Sequence, residues 1–246
     1  MLLQNRIAIV TGAGRGIGTS VARLLASEGA SVVVHYNHSK EGAEKLSQEL
    51  GNGSIAVSAD LTDPAAAAVL VMAAQDKFGR VDILVNCAAS YAKGITQTTA
   101  EWGDYQKEFS GVVGATVNPV HAVVPLMKAQ GYGRIVNFVA TLVQRPDPEQ
   151  IVHITAKSAL IGFTRTLARD VGPFGITANM VSPGMTLTEN TNSLPDDVKN
   201  KVIGLTPLRR LATPDDVAKL VLFYVSDLAG FVTGANIAPD GGLAVL

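Results

Sequence analysis

Thr11-Gly12-Ala13-Gly14-Arg15-Gly16-Ile17-Gly18 decides the fold, because this stretch joins a short apolar run to an amphipathic segment. The run at 6–11 is rich in β-branched residues, as strands are, and 17–26 carries apolar residues at helical spacing. Glycines at such a turn let the backbone approach a pyrophosphate, which the N-terminus of the helix faces. An ordinary tight turn is the alternative, and the strand–turn–helix context favours the dinucleotide site.

Strands and helices alternate along the rest of the chain. The predicted strands are 6–11, 31–35, 55–59, 82–86, 134–139, 176–181 and 236–238, and the predicted helices are 17–26, 39–50, 64–78, 105–130, 149–171 and one capped at Thr213. The segment 185–207 is polar and punctuated by prolines, which indicates a mobile lid or a pair of short helices. Strands that are apolar at nearly every position are typical of a parallel sheet covered on both faces. We therefore expect a doubly wound α/β (Rossmann) fold, with residues 1–246 as one domain.

Composition excludes several classes of partner. The chain has 246 residues, 47% of them hydrophobic, and a formal net charge of −1, with no run rich in Lys or Arg. A nucleic acid or an acidic membrane surface needs a concentrated basic face, so neither is expected as a partner. One cysteine and four scattered histidines predict no disulfide and no metal site. No stretch comes close to the roughly 18 apolar residues of a membrane span, and we expect a cytoplasmic protein.

The spacing of the glycine turn resembles the fingerprint of the short-chain dehydrogenase/reductase family, and further matches follow in chain order. Asn86-Cys87-Ala88-Ala89 resembles the family's Asn-Asn-Ala-Gly turn with two departures, and Asp240-Gly241-Gly242 matches near the C-terminus. The matches cover nearly the whole chain, and the 3-oxoacyl-carrier-protein reductase-like branch is the most similar. The resemblance implies these cofactor-binding residues: Gly12, Gly14, Arg15, Gly16, Ile17, Gly18, Tyr36, Asn37, His38, Asp60, Leu61, Asn86, Ala88, Lys157, Pro183, Gly184, Thr186 and Thr188.

The choice of cofactor follows from charge at the end of the second predicted strand. An NAD site places a carboxylate there to bind the ribose 2′-hydroxyl, and that carboxylate repels a 2′-phosphate. Here the strand ends in His35-Tyr36-Asn37-His38, without an acid, while Arg15 in the glycine turn can pair with a phosphate. This favours NADP(H) over NAD(H), and a merely solvated Arg15 is the alternative.

The catalytic positions are where the chain departs from the family. Active members use an asparagine, a serine, a tyrosine and a lysine together. Counting from Lys157 places the tyrosine at His153, the serine at Ala140 and the asparagine at Val112, so three of the four side chains differ. Reducing a ketone requires a hydrogen-bond donor on its oxygen and a proton source within about 3 Å. Ala140 supplies no donor, and a protonated His153 beside the Lys157 ammonium is disfavoured by like charge.

Several interpretations of these positions stay open. His153 is an inert polar replacement, a residue with an acid–base or binding role, or a sign that the counting is out of register. A hydroxyl from Thr141, or His153 acting through a water molecule, can replace the missing donors. Lys157 is expected to bind the cofactor ribose, Val112 and Ala140 to fill the core, and Cys87 to be a small buried hydrophobe rather than a nucleophile.

Three functional hypotheses follow. The first is an NADP(H)-dependent reductase of a small-molecule carbonyl or 3-oxoacyl thioester that uses His153, Lys157 and Thr141. The second is a catalytically silent nucleotide-binding subunit that assembles with an active relative. The third is non-redox chemistry with His153 as a base. The family resemblance further implies a homodimer or homotetramer formed through the two long helices.

Overall fold

A computed structural model describes residues 1–92 and 94–245. Seven parallel strands form one sheet in the order β3-β2-β1-β4-β5-β6-β7, which confirms the predicted doubly wound fold. The strands are β1 Ile7–Val10, β2 Ser31–Tyr36, β3 Ile55–Ser58, β4 Ile83–Asn86, β5 Gly133–Phe138, β6 Ile176–Val181 and β7 Asn236–Ile237. The helices are α1 Gly16–Ser27, α2 Lys40–Leu50, α3 Pro64–Phe78, α4 Trp102–Phe109, α5 Ala115–Gln130, α6 Ile151–Val171, α7 Glu189–Asn192, α8 Asp196–Leu205 and α9 Pro214–Val225.

Apolar clusters cover both faces of the sheet. Successive residues of a strand point to opposite faces, so Ala8 and Val10 join the cluster with α1 and α9, whereas Ile9 joins the cluster with α3, α5 and α6. All four residues of β1 are buried, as the apolar sequence of the strand predicts. The sheet is therefore a rigid platform whose strand ends hold the loops in place.

The long helix predicted at 105–130 differs from the structure. It begins at Trp102, and a π-helical turn at Ser110–Gly114 separates α4 from α5. A Cβ added at Gly111 would collide with the side chain of Ser90, so this turn lies directly against the loop that follows β4. Helical periodicity does not reveal such a turn, because one inserted residue barely disturbs the apolar pattern.

The helical run 102–130 also corrects the expectation about membrane spans. By length and composition alone it is long and apolar enough to cross a membrane, the only such helix in the described residues. Val120, Val123 and Met127 are buried against the sheet. The apolar character of α5 is thus accounted for in part by packing within the α/β fold.

An ion-pair network holds the amino-terminal edge of the sheet. The Asp82 carboxylate is fully buried, accepts a hydrogen bond from the Ile7 amide at 2.9 Å, and is paired with Arg6 and Arg80. Arg134, at the start of β5, pairs with Asp227 at 3.1 Å. These contacts tie the starts of three central strands together.

The opposite edge contains the crevice where such folds bind ligands. The chain leaves β1 towards β2 on one side and leaves β4 towards β5 on the other, so the strand order reverses between β1 and β4. Ligands of open α/β sheets bind outside the carboxyl ends of the strands at this reversal. The glycine turn follows β1 at this edge.

Candidate functional site

The glycine turn is held by close backbone packing. Gly12 has φ of 65°, and a Cβ added there would lie 3.0 Å from Ala88 Cα. A Cβ at Gly18 would lie 2.5 Å from the carbonyl oxygen of Gly12. The N-cap residue of α1, Arg15, makes no side-chain cap, and no acid lies in the first turn. The first amides of α1 are therefore available to an anion.

His35 braces the glycine turn from β2. Its Nδ1 accepts a hydrogen bond from the Gly12 amide at 3.1 Å, and its Nε2 donates to the carbonyl of Ala59 at 3.0 Å. Burial lowers the pKa of His35, although the bond to Ala59 acts in the opposite direction. His35 is therefore a neutral, structural histidine with its hydrogen on Nε2, a role that the sequence did not reveal.

The residues expected to contact the adenosine half of the cofactor lie at the end of β2 and after β3. We call this group, which consists of Tyr36, Asn37, His38, Asp60 and Leu61, the rim of the site. Tyr36 is half-buried at the end of β2, while Asn37 and His38 are exposed beyond it. Asp60 is exposed and accepts hydrogen bonds from the Thr62 hydroxyl and amide, which lower its pKa. Leu61 is buried, and its carbonyl accepts the Asn118 amide at 2.9 Å.

Asn86 presents an unpaired acceptor at the end of β4. Its Nδ2 donates to Asn137 Oδ1 at 2.9 Å, and Asn137 in turn donates to Thr164 Oγ1 at 2.9 Å. This chain fixes the orientation of the Asn86 amide. Its Oδ1 is buried and has no hydrogen-bond partner among residues 1–92 and 94–245. A buried acceptor without a partner indicates a place where a ligand donor fits. The neighbouring Ala88 amide donates to Thr11 Oγ1 at 3.0 Å.

The lid segment, residues 185–207, forms the two short helices α7 and α8 and reaches the glycine turn. Thr186 is buried and donates to the carbonyl of Gly184, which follows Pro183 after β6. A Cβ built on Gly16 would lie 3.5 Å from the methyl group of Thr188 and 3.7 Å from the carboxylate of the exposed Glu189. The structure therefore brings Thr188 together with the predicted phosphate loop.

Lys157 lies on the inner face of α6. Its side chain is buried, and Nζ donates to the carbonyl of Phe138 at 2.7 Å. Burial lowers the pKa of Lys157 to about 8, although Cys87 and Glu108 act in the opposite direction. Burial raises the pKa of the Cys87 thiol to about 12, which agrees with an unreactive cysteine.

His153 lies one turn before Lys157 and is paired with Glu108 of α4. The distance from His153 Nδ1 to Glu108 Oε1 is 2.6 Å, and the two side chains are 6% and 3% exposed. Glu108 also accepts the Ser90 hydroxyl at 2.8 Å and the Ala92 amide at 3.3 Å. Burial acts to raise the pKa of Glu108, but these bonds outweigh it and the pKa is lowered. The rings of Tyr91 and His153 pack in a T-shaped arrangement, with 4.7 Å between their centroids.

Sequence reasoning missed Glu108. The sequence held one indication of its role: Glu108 is an acidic residue four positions before Val112, on a helix whose inner face is otherwise apolar. Val112 is fully buried in an apolar cluster with Val139 and Leu160, so it is a core residue. Ala140 is half-buried, and the hydroxyl of Thr141 donates to the carbonyl of Ser182 at 2.9 Å. The proton of Thr141 is thus engaged within the fold and is not presented to the crevice.

Known proteins match the chain over its whole length. Residues 12–244 match the family model described as enoyl-(acyl carrier protein) reductase. The 3-oxoacyl-(acyl-carrier-protein) reductase FabG of Staphylococcus epidermidis is 35% identical over 98% of this chain and 99% of its own, and that of Haemophilus influenzae is 34% identical over the same shares. The short-chain reductase protein NovJ of Streptomyces niveus is 33% identical over 97% of this chain and 94% of its own.

A solved structure agrees with these relatives. A short chain dehydrogenase/reductase family protein superposes with a TM-score of 0.89 at 37% identity, and the match covers 100% of both chains. The chain therefore belongs to the short-chain dehydrogenase/reductase family.

Proposed function

We propose that the protein is an NADP(H)-dependent reductase of carbonyl groups in acyl thioesters of the 3-oxoacyl type. One observation carries this proposal: a Glu-paired histidine and a buried lysine lie on one face of α6, beside the crevice that the glycine turn borders. The hydrogen-bonded pair His153–Glu108 gives the site an acid–base group. This favours an active enzyme over a silent subunit.

The residues of the crevice fit a nicotinamide dinucleotide. The uncapped amides of α1 suit the pyrophosphate, and the close packing at Gly12 and Gly18 leaves no room for a side chain at either position in the turn. The unpaired Oδ1 of Asn86 suits a hydroxyl or amide donor of the cofactor. Lys157 suits the hydroxyls of the nicotinamide ribose. When bound, the cofactor supplies the hydride.

The preference for NADP(H) rests on the rim of the site. Arg15 is exposed at the start of α1, and the end of β2 carries Tyr36, Asn37 and His38 without a carboxylate. A 2′-phosphate there gains an arginine partner and meets no acid from β2. Asp60 follows β3 instead, where its carboxylate is engaged by Thr62.

The mechanism requires one proton for each hydride. As the carbonyl carbon receives the hydride, its oxygen gains negative charge and takes a proton, so that the ketone becomes an alcohol. His153 donates that proton from Nε2, and its Nδ1–H stays bonded to Glu108. The Lys157 ammonium stabilises negative charge in the site, and its lowered pKa of about 8 keeps most of it charged at neutral pH.

The substrate class follows from the relatives and from a cavity. Two of the full-length relatives described above are named 3-oxoacyl-(acyl-carrier-protein) reductases, whereas the family model is named for enoyl groups. A cavity of about 480 Å³ lies between the end of α8 and the C-terminal segment, with Leu205, Pro207 and Leu243 on its walls and Arg145 at its polar side. Apolar walls with one cation suit an acyl chain that ends in a charged carrier.

The assembly that we propose is a homodimer or homotetramer in the cytoplasm, formed through α4, α5 and α6. Trp102 is 73% exposed at the start of α4 and stacks on Tyr105 at 6.1 Å. An exposed tryptophan stacked on a half-buried tyrosine favours contact with a second subunit.

The test is a turnover assay with NADPH and with NADH on a 3-oxoacyl thioester, an enoyl thioester and simple ketones. We expect NADPH oxidation with the 3-oxoacyl thioester, a loss of about 10²-fold in kcat/KM in Lys157→Ala, and a smaller preference for NADPH in Arg15→Ala. Turnover of the enoyl thioester alone would correct the substrate class. No turnover across the panel would refute the proposed activity.

A further inference from the structure

We infer that Glu108 is a positioning residue, held by Ser90, that fixes the hydrogen of His153 on Nδ1 and so makes Nε2 the atom that exchanges a proton with the substrate. This inference rests on the proposed function, because it assigns the atom through which that reaction moves its proton. Glu108 and Ser90 are thereby added to His153 and Lys157, which the spacing of the sequence located.

The first step concerns the charge on Glu108. Its carboxylate receives three hydrogen bonds, from the His153 ring, the Ser90 hydroxyl and the Ala92 amide, at 2.6, 2.8 and 3.3 Å. Three donors directed at one buried carboxyl favour the ionised form. An ionised carboxylate only accepts hydrogen bonds. The nitrogen of His153 that faces Glu108 must therefore carry a hydrogen.

The second step concerns the other nitrogen. With the hydrogen on Nδ1, the neutral ring has its lone pair on Nε2, and the protonated ring carries its second hydrogen there. Within the part of the chain that the structure describes, the hydrogen bond of the His153 ring runs through Nδ1 to Glu108, and Nε2 makes none. It is the nitrogen left for the substrate. Free histidine in water favours the opposite tautomer, so the carboxylate imposes this one.

The third step concerns how the carboxylate is held. A Cβ on Gly111 would collide with Ser90, so the loop at residues 90–92 lies directly on the π-helical turn that follows Glu108. This contact brings the Ser90 and Ala92 donors to the carboxylate. Tyr91, between them, packs its ring perpendicular to the His153 ring and donates its hydroxyl hydrogen to Gln150 at 2.7 Å.

The fourth step removes an objection that arises from the sequence. A protonated His153 beside the Lys157 ammonium is disfavoured by like charge when those two groups are considered alone. Glu108 supplies the missing negative charge, and it also acts on Lys157 in the direction of the charged form. The Glu108 carboxylate thus lies against the His153 ring and also offsets the positive charge of Lys157.

The experiment is nitrogen-15 NMR of the four ring-labelled histidines in the full-length protein, assigned with a His153→Gln variant. His35 is an internal reference, because its two bonds force the hydrogen onto Nε2. We expect opposite tautomers for the two buried rings, with Nδ1–H for His153. A His153 signal of the same tautomer as His35 overturns the inference.

Kinetics of three variants separate positioning from packing. Glu108→Gln keeps the size of the side chain but lacks the charge, and we expect kcat to fall by at least about tenfold while KM for NADPH changes little. Glu108→Asp should restore part of the loss, and Ser90→Ala should cause a smaller one. A kcat for Glu108→Gln equal to that of the natural protein overturns the inference. Absent turnover in the natural protein refutes the proposed function instead, and the tautomer of His153 then decides the inference alone.

Discussion

At the scale of single residues, the proton donor that we propose is an imidazole and not the tyrosine hydroxyl that the family resemblance implies. A tyrosine hydroxyl needs a neighbouring cation to become acidic, whereas an imidazole needs a carboxylate to hold its hydrogen and balance its charge. The residues present are of the second kind: His153 bonded to Glu108 at 2.6 Å. The sequence located His153 and Lys157 by spacing. It could not locate Glu108, because that contact joins residues 45 positions apart on two different helices.

The buried Lys157 makes stability depend on pH. Its pKa in the folded protein is about 8, below the ordinary value of 10.5, so the unfolded chain binds more protons between these two values. Stability therefore rises with pH through this window, and the cost of burying the charge is largest below pH 8. We expect the unfolding free energy of the natural protein, relative to Lys157→Met, to increase by up to about 3 kcal/mol between pH 7 and 11. Urea unfolding of both proteins across this range measures it.

A flat difference between the two proteins across the same pH range would mean that Lys157 keeps an ordinary pKa in the folded state. The Lys157→Met variant also tests whether Lys157 binds the cofactor. We expect its affinity for NADPH to fall even at a pH where it is more stable than the natural protein. Such opposite effects on stability and binding identify a residue that is retained for function rather than for packing.

At the scale of the elements, most strands and helices could be predicted because local pattern and global fold agree. The strand predicted at 176–181 is β6, and the helix predicted at 64–78 is α3, which Asp63 caps by accepting a hydrogen bond from the Ala65 amide. The π-helical turn at Ser110–Gly114 could not be predicted. It depends on the tertiary contact between Gly111 and Ser90, which no periodicity contains.

The glycine turn gives a prediction with a matched control. In Gly18→Ala the new methyl group meets the carbonyl oxygen of Gly12, so the turn must shift. We expect NADPH affinity to fall at least about tenfold and stability to fall by about 1–3 kcal/mol.

Gly103 of α4 has no atom within 4 Å of an added Cβ, so Gly103→Ala should bind NADPH normally and be no less stable. Fluorescence titration with NADPH and thermal unfolding check both variants. Equal NADPH affinities would show that the turn does not contact the cofactor.

At the scale of the whole molecule, fold and chemistry were predictable to different extents. The fold depends on the distribution of apolar residues over the entire chain, and that pattern survives substitutions at single positions. The proposed chemistry depends on a few side chains at the carboxyl edge of the sheet. Only the arrangement in space shows that Val112 lies in the core and that His153 has a carboxylate partner.

The central claim is that His153 gives the proton in an NADPH-dependent reduction. The most direct measurement is single-turnover oxidation of bound NADPH by a 3-oxoacyl thioester in the natural protein and in His153→Gln. A glutamine amide can still donate to Glu108, but it cannot give up a proton. The account predicts that both proteins bind NADPH with similar affinity and that hydride transfer is slower in the variant by about 10²-fold or more. Equal rates of NADPH oxidation in the two proteins would contradict it.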